Sequence, residues 1–186
     1  MKKLSYPLLL FMLVWSLQAC NNNPRNEKNS VDSAKTVNKE TKVVDKSTSD
    51  FVVNAANGGM MEVELGQYAQ QNARSQRVKD FASMMVTDHT KANDELKSLA
   101  NEQNIALPAT LSDKAQKDID DLKKKKGTEF DKDYMKMMVD DHKSDIDDFQ
   151  KAGKDLSDST IRDFAVRTLP VLQKHLDSAQ AITGKK

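Results

Sequence analysis

From Phe51 onward the apolar positions of this chain recur at alternating spacings of three and four residues, the period of helices that each bury one face. Four seams follow. The first runs Phe51, Ala55, Gly58, Glu62, Leu65, Ala69, and the second Val78, Ala82, Met85, His89, Ala92, Leu96, Leu99. The third is Met135, Met138, His142, Ile146, Phe149, with Phe130 and Tyr134 beside it; the fourth is Ile161, Ala165, Thr168, Leu172, His175, Ala179, Ile182. Strand signals are few, so the pattern predicts an all-α fold, a four-helix bundle.

Breakers and caps set the expected boundaries. Ser75 caps the second helix and Leu107-Pro108 ends it; Gly127-Thr128 with Asp131 resembles a capping box, Gly153 closes the third helix, and Ser157-Asp158 opens the fourth. Short links make the first and second helices, and the third and fourth, antiparallel neighbours. The stretch Asn104 to Gly127 is long enough for a short crossover helix, which leaves the second and third long helices parallel, as in ferritin-like bundles.

Residues upstream read differently. Lys2 and Lys3, the apolar run Leu8 to Leu17 and then Leu17-Gln18-Ala19-Cys20 have the form of a secretory signal, too short to span a bilayer. The last four residues resemble the lipobox of bacterial lipoproteins. Residues 1–19 are thus expected as a signal peptide, 20–48 as a lipidated Cys20 followed by a flexible polar tether, and 49–186 as the bundle domain. Cys20 is the sole cysteine, so no disulfide within the chain is expected. Asn21 after it points to the outer rather than the inner membrane, and the expected partner is the membrane itself, through lipid on Cys20.

Charge excludes one class of function. With 29 basic and 28 acidic side chains and a net charge of +1, the chain lacks the electrostatic footprint of a nucleic-acid binder. Its one basic cluster, Lys123 to Lys126, closes a segment that begins with acids, the order of a solvated helix end.

Candidate chemistry lies on the seams. All three histidines, His89, His142 and His175, and one glutamate, Glu62, fall on the inward faces of four different helices, which is how bundles build metal sites. Three imidazoles and a carboxylate suit one Zn, Fe, Mn or Cu ion. Asp88 and Asp141, each one residue before a histidine, are candidates to orient a ring. Met85 and Met138, one turn from their histidines, are alternative ligands or core fillers packed opposite Gly66 and Ala179. The plainer reading of the same residues is a metal-free network, with imidazoles bonded to Glu62 and to hydroxyls of Tyr68, Tyr134 or Thr168. Helix rise places Glu62 and His89 at similar heights, about 16 and 20 Å from the first turn, but His142 about 15 Å and His175 about 25 Å from the second. One ion between those two therefore requires the fourth helix to overhang, or to bend at Pro170.

An internal echo links two of these segments: Phe81 to His89 and Tyr134 to His142 share an aromatic followed by Met-Met-Val-x-Asp-His. Further motifs carry a family resemblance. They are Gly58-Gly59-Met60-Met61-Glu62-Val63-Glu64-Leu65-Gly66, Val86-x-Asp88-His89, Leu107-Pro108, Phe130-Asp131-x-x-Tyr134-Met135 and Leu169-Pro170-x-Leu172-x-x-His175. From Asp50 to Ile182 the chain resembles the bacterial domain-of-unknown-function 4142 family, whose members are mostly exported and often described as outer-membrane proteins. The resemblance implies a ferritin-like bundle and no particular activity. Di-iron bundles carry Glu-x-x-His on two helices, whereas Val86, Val139 and Leu172 stand three residues before the histidines here, so ferroxidase chemistry is not implied. Nor does any nucleophile and base, or any glycine-rich phosphate loop, stand at a recognisable spacing. The sequence thus points to a non-catalytic envelope module for binding or stress that holds one metal ion, with a metal-dependent oxidoreductase and a metal-free partner-binding protein as alternatives.

Overall fold

The computed structural model describes residues 29–184, so the signal segment and Cys20 lie outside the described residues. Six helices and no strand occur among the residues described: α1 (Ser30–Thr41), α2 (Lys46–Asn72), α3 (Gln76–Glu102), α4 (Asp113–Lys123), α5 (Gly127–Asp155) and α6 (Ser159–Thr183). The four seams are α2, α3, α5 and α6, and α4 is the expected short helix in the long connection. Helix α2 packs along α3 and α5 along α6, while α3 also meets α6 and α2 meets α5. None of these helices is long and apolar enough to cross a membrane.

Each boundary has a local cause. Asp45 caps α2 by accepting from the Thr48 backbone N–H at 2.9 Å, Ser112 caps α4 at the Ala115 N–H, and Asp158 caps α6 at the Ile161 N–H, each satisfying a donor that the first helical turn leaves free. Two expectations are corrected here. Ser75 stands at the start of α3 without a side-chain cap, and Asp131 is no part of a capping box for α5. Instead the Asp131 carboxylate accepts from the backbone N–H groups of Arg74 and Ser75 at 2.9 and 2.7 Å, tying the α2–α3 turn to α5.

Helix α1 is the largest departure from the sequence reading, which assigned its residues to the flexible tether. It lacks an apolar stripe, and polar anchors hold it instead. The buried Asn38 amide donates to the Ala106 carbonyl at 2.9 Å and accepts from its N–H at 2.7 Å, and Ser30 Oγ accepts from the N–H groups of Ala109 and Thr110. Helix α1 therefore straps the α3–α4 connection onto α2. Because α2 touches α1, α3, α4 and α5, its buried face is wider than one seam. Val52, Val53, Ala56 and Gly59 are buried where Phe51, Ala55 and Gly58 are only partly covered.

Close approaches rest on three glycines: Gly59 against the Asn93 side chain, and Gly66 and Gly153 against valines. A Cβ at Gly66 would stand 2.8 Å from Val86 Cγ2, so α3 presents Val86 there rather than Met85. One at Gly153 would stand 2.8 Å from Val166 Cγ2. Gly153 is thus a contact between α5 and α6, and α5 runs past it to Asp155 instead of closing there. The basic run behaves as a helix end: Lys123 pairs with Glu64 at 2.7 Å, Lys124 with Asp121, and Lys126 donates to the Tyr68 hydroxyl.

Candidate metal centre

Four helices each deliver one side chain to the same buried level. Glu62 on α2, His89 on α3, His142 on α5 and His175 on α6 are all buried, with His142 and His175 at 0% exposure. One ring nitrogen from each histidine lies within 4.8 Å of the others, and the ring centroids are 5.1 to 5.6 Å apart. The height mismatch expected from the sequence shrinks to about 4 Å because α5 extends to Asp155. Counted from the true helix ends, His142 is about 20 Å and His175 about 24 Å from the turn. His142 Nε2 and His175 Nδ1 come within 3.2 Å, with α6 running unbroken through Pro170.

Hydrogen bonds around the rings fix their tautomers. His142 Nδ1 lies 2.9 Å from the Met138 carbonyl, His175 Nε2 lies 2.9 Å from Asp88 Oδ2, and His89 Nδ1 lies 3.0 Å from Glu62 Oε2. A carbonyl and two carboxylates only accept, so each of these three ring nitrogens carries the proton. Each neutral ring then has one lone pair left. On His142 that is Nε2 and on His175 it is Nδ1, the two atoms that face each other; on His89 it is Nε2, which is buried and has no hydrogen-bond partner. The chain Met138 C=O, His142, His175, Asp88 contains three contacts but only two protons when both rings are neutral. A third proton or a metal ion between the rings would supply the missing positive charge.

For His142 and His175 the charge states agree with that count. Burial pushes the His175 imidazole down to about 4, and burial likewise holds His142 below its ordinary value. For His89 burial acts in the same direction, but the Glu62 carboxylate outweighs it and raises the imidazole. Glu62 itself is opposed by burial and yet held below the usual carboxylate range by the surrounding histidines, His89 foremost. Asp88, despite partial burial, is lowered by its bond to His175 and by Lys174.

These contacts place each residue singled out in the sequence. Glu62 Oε2 accepts from Nδ1 of His89, and Asp88 Oδ2 accepts from Nε2 of His175. Asp141 is not part of this arrangement; it borders a separate cavity with Glu62 and Asp145. Met85 and Met138 belong to the apolar core, and Met138 acts on His142 through its backbone carbonyl. None of the three hydroxyls of the metal-free network bonds a ring: Tyr68 donates to the Lys123 carbonyl, Thr168 donates to the Phe164 carbonyl, and the Tyr134 oxygen has no partner. Asp145 escaped the sequence reading. Its oxygen lies within 4.8 Å of Glu62 and His142 ligand atoms, and the spacing His142-x-x-Asp145, one turn on the same helix face, was the available signal.

A small cavity of about 40 Å³ reaches Glu62, Asp88, His89 and His175, walled by Gly58, Gly59, Ala92 and Leu172. It has room for a water-sized ligand, not for an organic substrate. A family model described as "Domain of unknown function (DUF4142)" matches residues 33–182, most of the chain. No curated protein and no solved structure matches it.

Proposed function

Since the chain belongs to the domain-of-unknown-function family DUF4142, whose description supplies no activity, we propose a function from the site itself: His89, His142 and His175 hold one transition-metal ion at the centre of the helices. In this reading the chain is a cell-envelope lipoprotein, anchored through Cys20 and facing the periplasm or exterior, and α2, α3, α5 and α6 make a ferritin-like four-helix bundle around the ion. The observation that carries it is the proton deficit between His142 Nε2 and His175 Nδ1, 3.2 Å apart, with a third unpartnered imidazole nitrogen on His89 alongside.

Three neutral nitrogens suit Zn²⁺ or copper better than Mn²⁺, which prefers oxygen donors. Glu62, Asp88 and the Met138 carbonyl then act on the ring nitrogens facing away from the ion, fixing each imidazole and raising its basicity. The cavity beside the rings admits a water as fourth ligand, which supports binding rather than turnover of an organic substrate.

Metal analysis of the chain purified without an affinity tag tests this. One equivalent of Zn²⁺ or copper, lost in His89→Ala, His142→Ala and His175→Ala alike, is expected. Absence of stoichiometric metal, together with no rise in thermal midpoint on adding Zn, Cu, Mn or Fe, would end the proposal.

A further inference from the structure

The Glu62 carboxylate has two sides, and only one of them serves the histidines. Its Oε2 accepts from His89, but Oε1 is buried without a hydrogen-bond partner. His142 Nδ1 lies 3.5 Å from it, but its proton is already committed to the Met138 carbonyl. An oxygen of Asp145 lies within 4.8 Å of a Glu62 oxygen and of a His142 ring nitrogen, and a cavity of about 190 Å³ opens between Glu62, Asp141, Asp145, Ser144 and Ser112. We propose that Glu62, Asp141 and Asp145 form a second cation site, behind the Glu62 carboxylate from the three imidazoles, that takes a hard divalent ion of the Mn²⁺ or Ca²⁺ type.

Three features support it. Carboxylates and hydroxyls are the donors that hard cations prefer, in contrast to the nitrogen set next door. Two ligands on one Ca²⁺ stand at most about 5 Å apart, a span the Glu62 and Asp145 oxygens already meet. The third is the cost of leaving the group bare. Burial, with the Glu62 and Asp141 carboxylates close by, raises Asp145 to about 9. Lys114 stands at the rim and relieves Asp141 in part, but its ammonium is bonded to Asp118 at 2.7 Å. Asp140 and Asp118 add to the repulsion on Asp141, and Asp148 to that on Asp145. A divalent ion neutralises this group and gives Glu62 Oε1 the partner it lacks.

This site shares Glu62 with the imidazole centre, and the test separates the two. The full chain is loaded with one equivalent of Zn²⁺ and then titrated with Mn²⁺, the free ion being followed by its paramagnetic resonance signal. One Mn²⁺ per chain is expected to bind without displacing Zn²⁺. Asp145→Asn and Asp141→Asn should each weaken Mn²⁺ at least tenfold while retaining Zn²⁺, which also shows that the variants are folded. His175→Ala should lose Zn²⁺ and keep Mn²⁺. The proposal is overturned if the unaltered chain binds no Mn²⁺, if both Asn variants bind it as tightly as the unaltered chain, or if Mn²⁺ enters only by expelling Zn²⁺.

Discussion

Asp88 never needs to touch a metal to matter for one. Its carboxylate holds Nε2 of His175 protonated at 2.9 Å and thereby leaves Nδ1 as the free donor. Asp88→Asn keeps the volume but removes the charge and lets an amide N–H face the ring, so Zn²⁺ affinity is expected to fall about 10- to 100-fold in competition with a chelator. An unchanged affinity would show that Asp88 does not set the tautomer. Tyr134 makes the opposite case. Its hydroxyl is fully buried with no partner, and burial, with Glu62 nearby, drives the phenol far above its ordinary value. Removing a polar atom that has nothing to bond costs nothing and saves its desolvation, so Tyr134→Phe is expected to leave stability unchanged or raise it by up to about 1 kcal/mol in urea unfolding. A loss of about 2 kcal/mol would place a partner on that oxygen. At this scale residue identity on the seams was legible, because helical period is local. The role of each residue was not. Whether Glu62 binds an ion or a ring nitrogen depends on which of its two oxygens faces His89.

Among the elements, the start of α2 is joined to the turn between α5 and α6. Asp45 accepts from the Thr48 N–H and hydroxyl and from Ser157 Oγ at 2.6 Å. Those bonds, Ser157 first, hold the Asp45 carboxyl below its usual 3.8. A carboxyl depressed on folding binds fewer protons folded than unfolded, so its contribution is complete above the unfolded value and disappears as pH falls below it. Asp45→Ala is therefore expected to cost about 1 kcal/mol at neutral pH, with the gap to the unaltered chain narrowing between about pH 5 and pH 2. A gap that stays constant over that range would assign the loss to something other than the carboxylate. Helix α1 depends on Asn38 in the same way. Asn38→Ala leaves both backbone groups of Ala106 without their partner, and a loss of about 1 to 3 kcal/mol is expected, with faster hydrogen exchange over α1. Apolar periodicity finds helices that bury hydrocarbon, which is why α2, α3, α5 and α6 were legible and α1 was not. Gly153 misled for a related reason: a glycine near a helix end looks like a stop unless the opposing Val166 is known.

For the molecule as a whole, the two helical hairpins meet where α3 touches α6 and α2 touches α5, and the histidines stand across that meeting. His89 and His175 come from opposite hairpins, as do Glu62 and His142. An ion bound there ties the hairpins together and stabilises only the folded chain. Chelation is expected to lower the thermal midpoint, and metal at a hundredfold excess over its dissociation constant should restore about 2.7 kcal/mol. Identical unfolding with and without chelator would mean that no ion bridges the hairpins.

What the order of residues determined by itself was periodic: four long helices, the faces they bury, and the arrival of three histidines and a glutamate on those faces. Spacing along one helix is enough for that, since 3.6 residues make each turn regardless of context. Tertiary structure alone decided how the helices register. The true end of α5 brought His142 level with His175, and the choice of outer acceptor assigned each ring its free nitrogen. Packing also turned Asp145 toward Glu62 and anchored α1 through polar groups. Each of these is a contact between residues far apart in the chain, and distances of that kind are set by how helices meet.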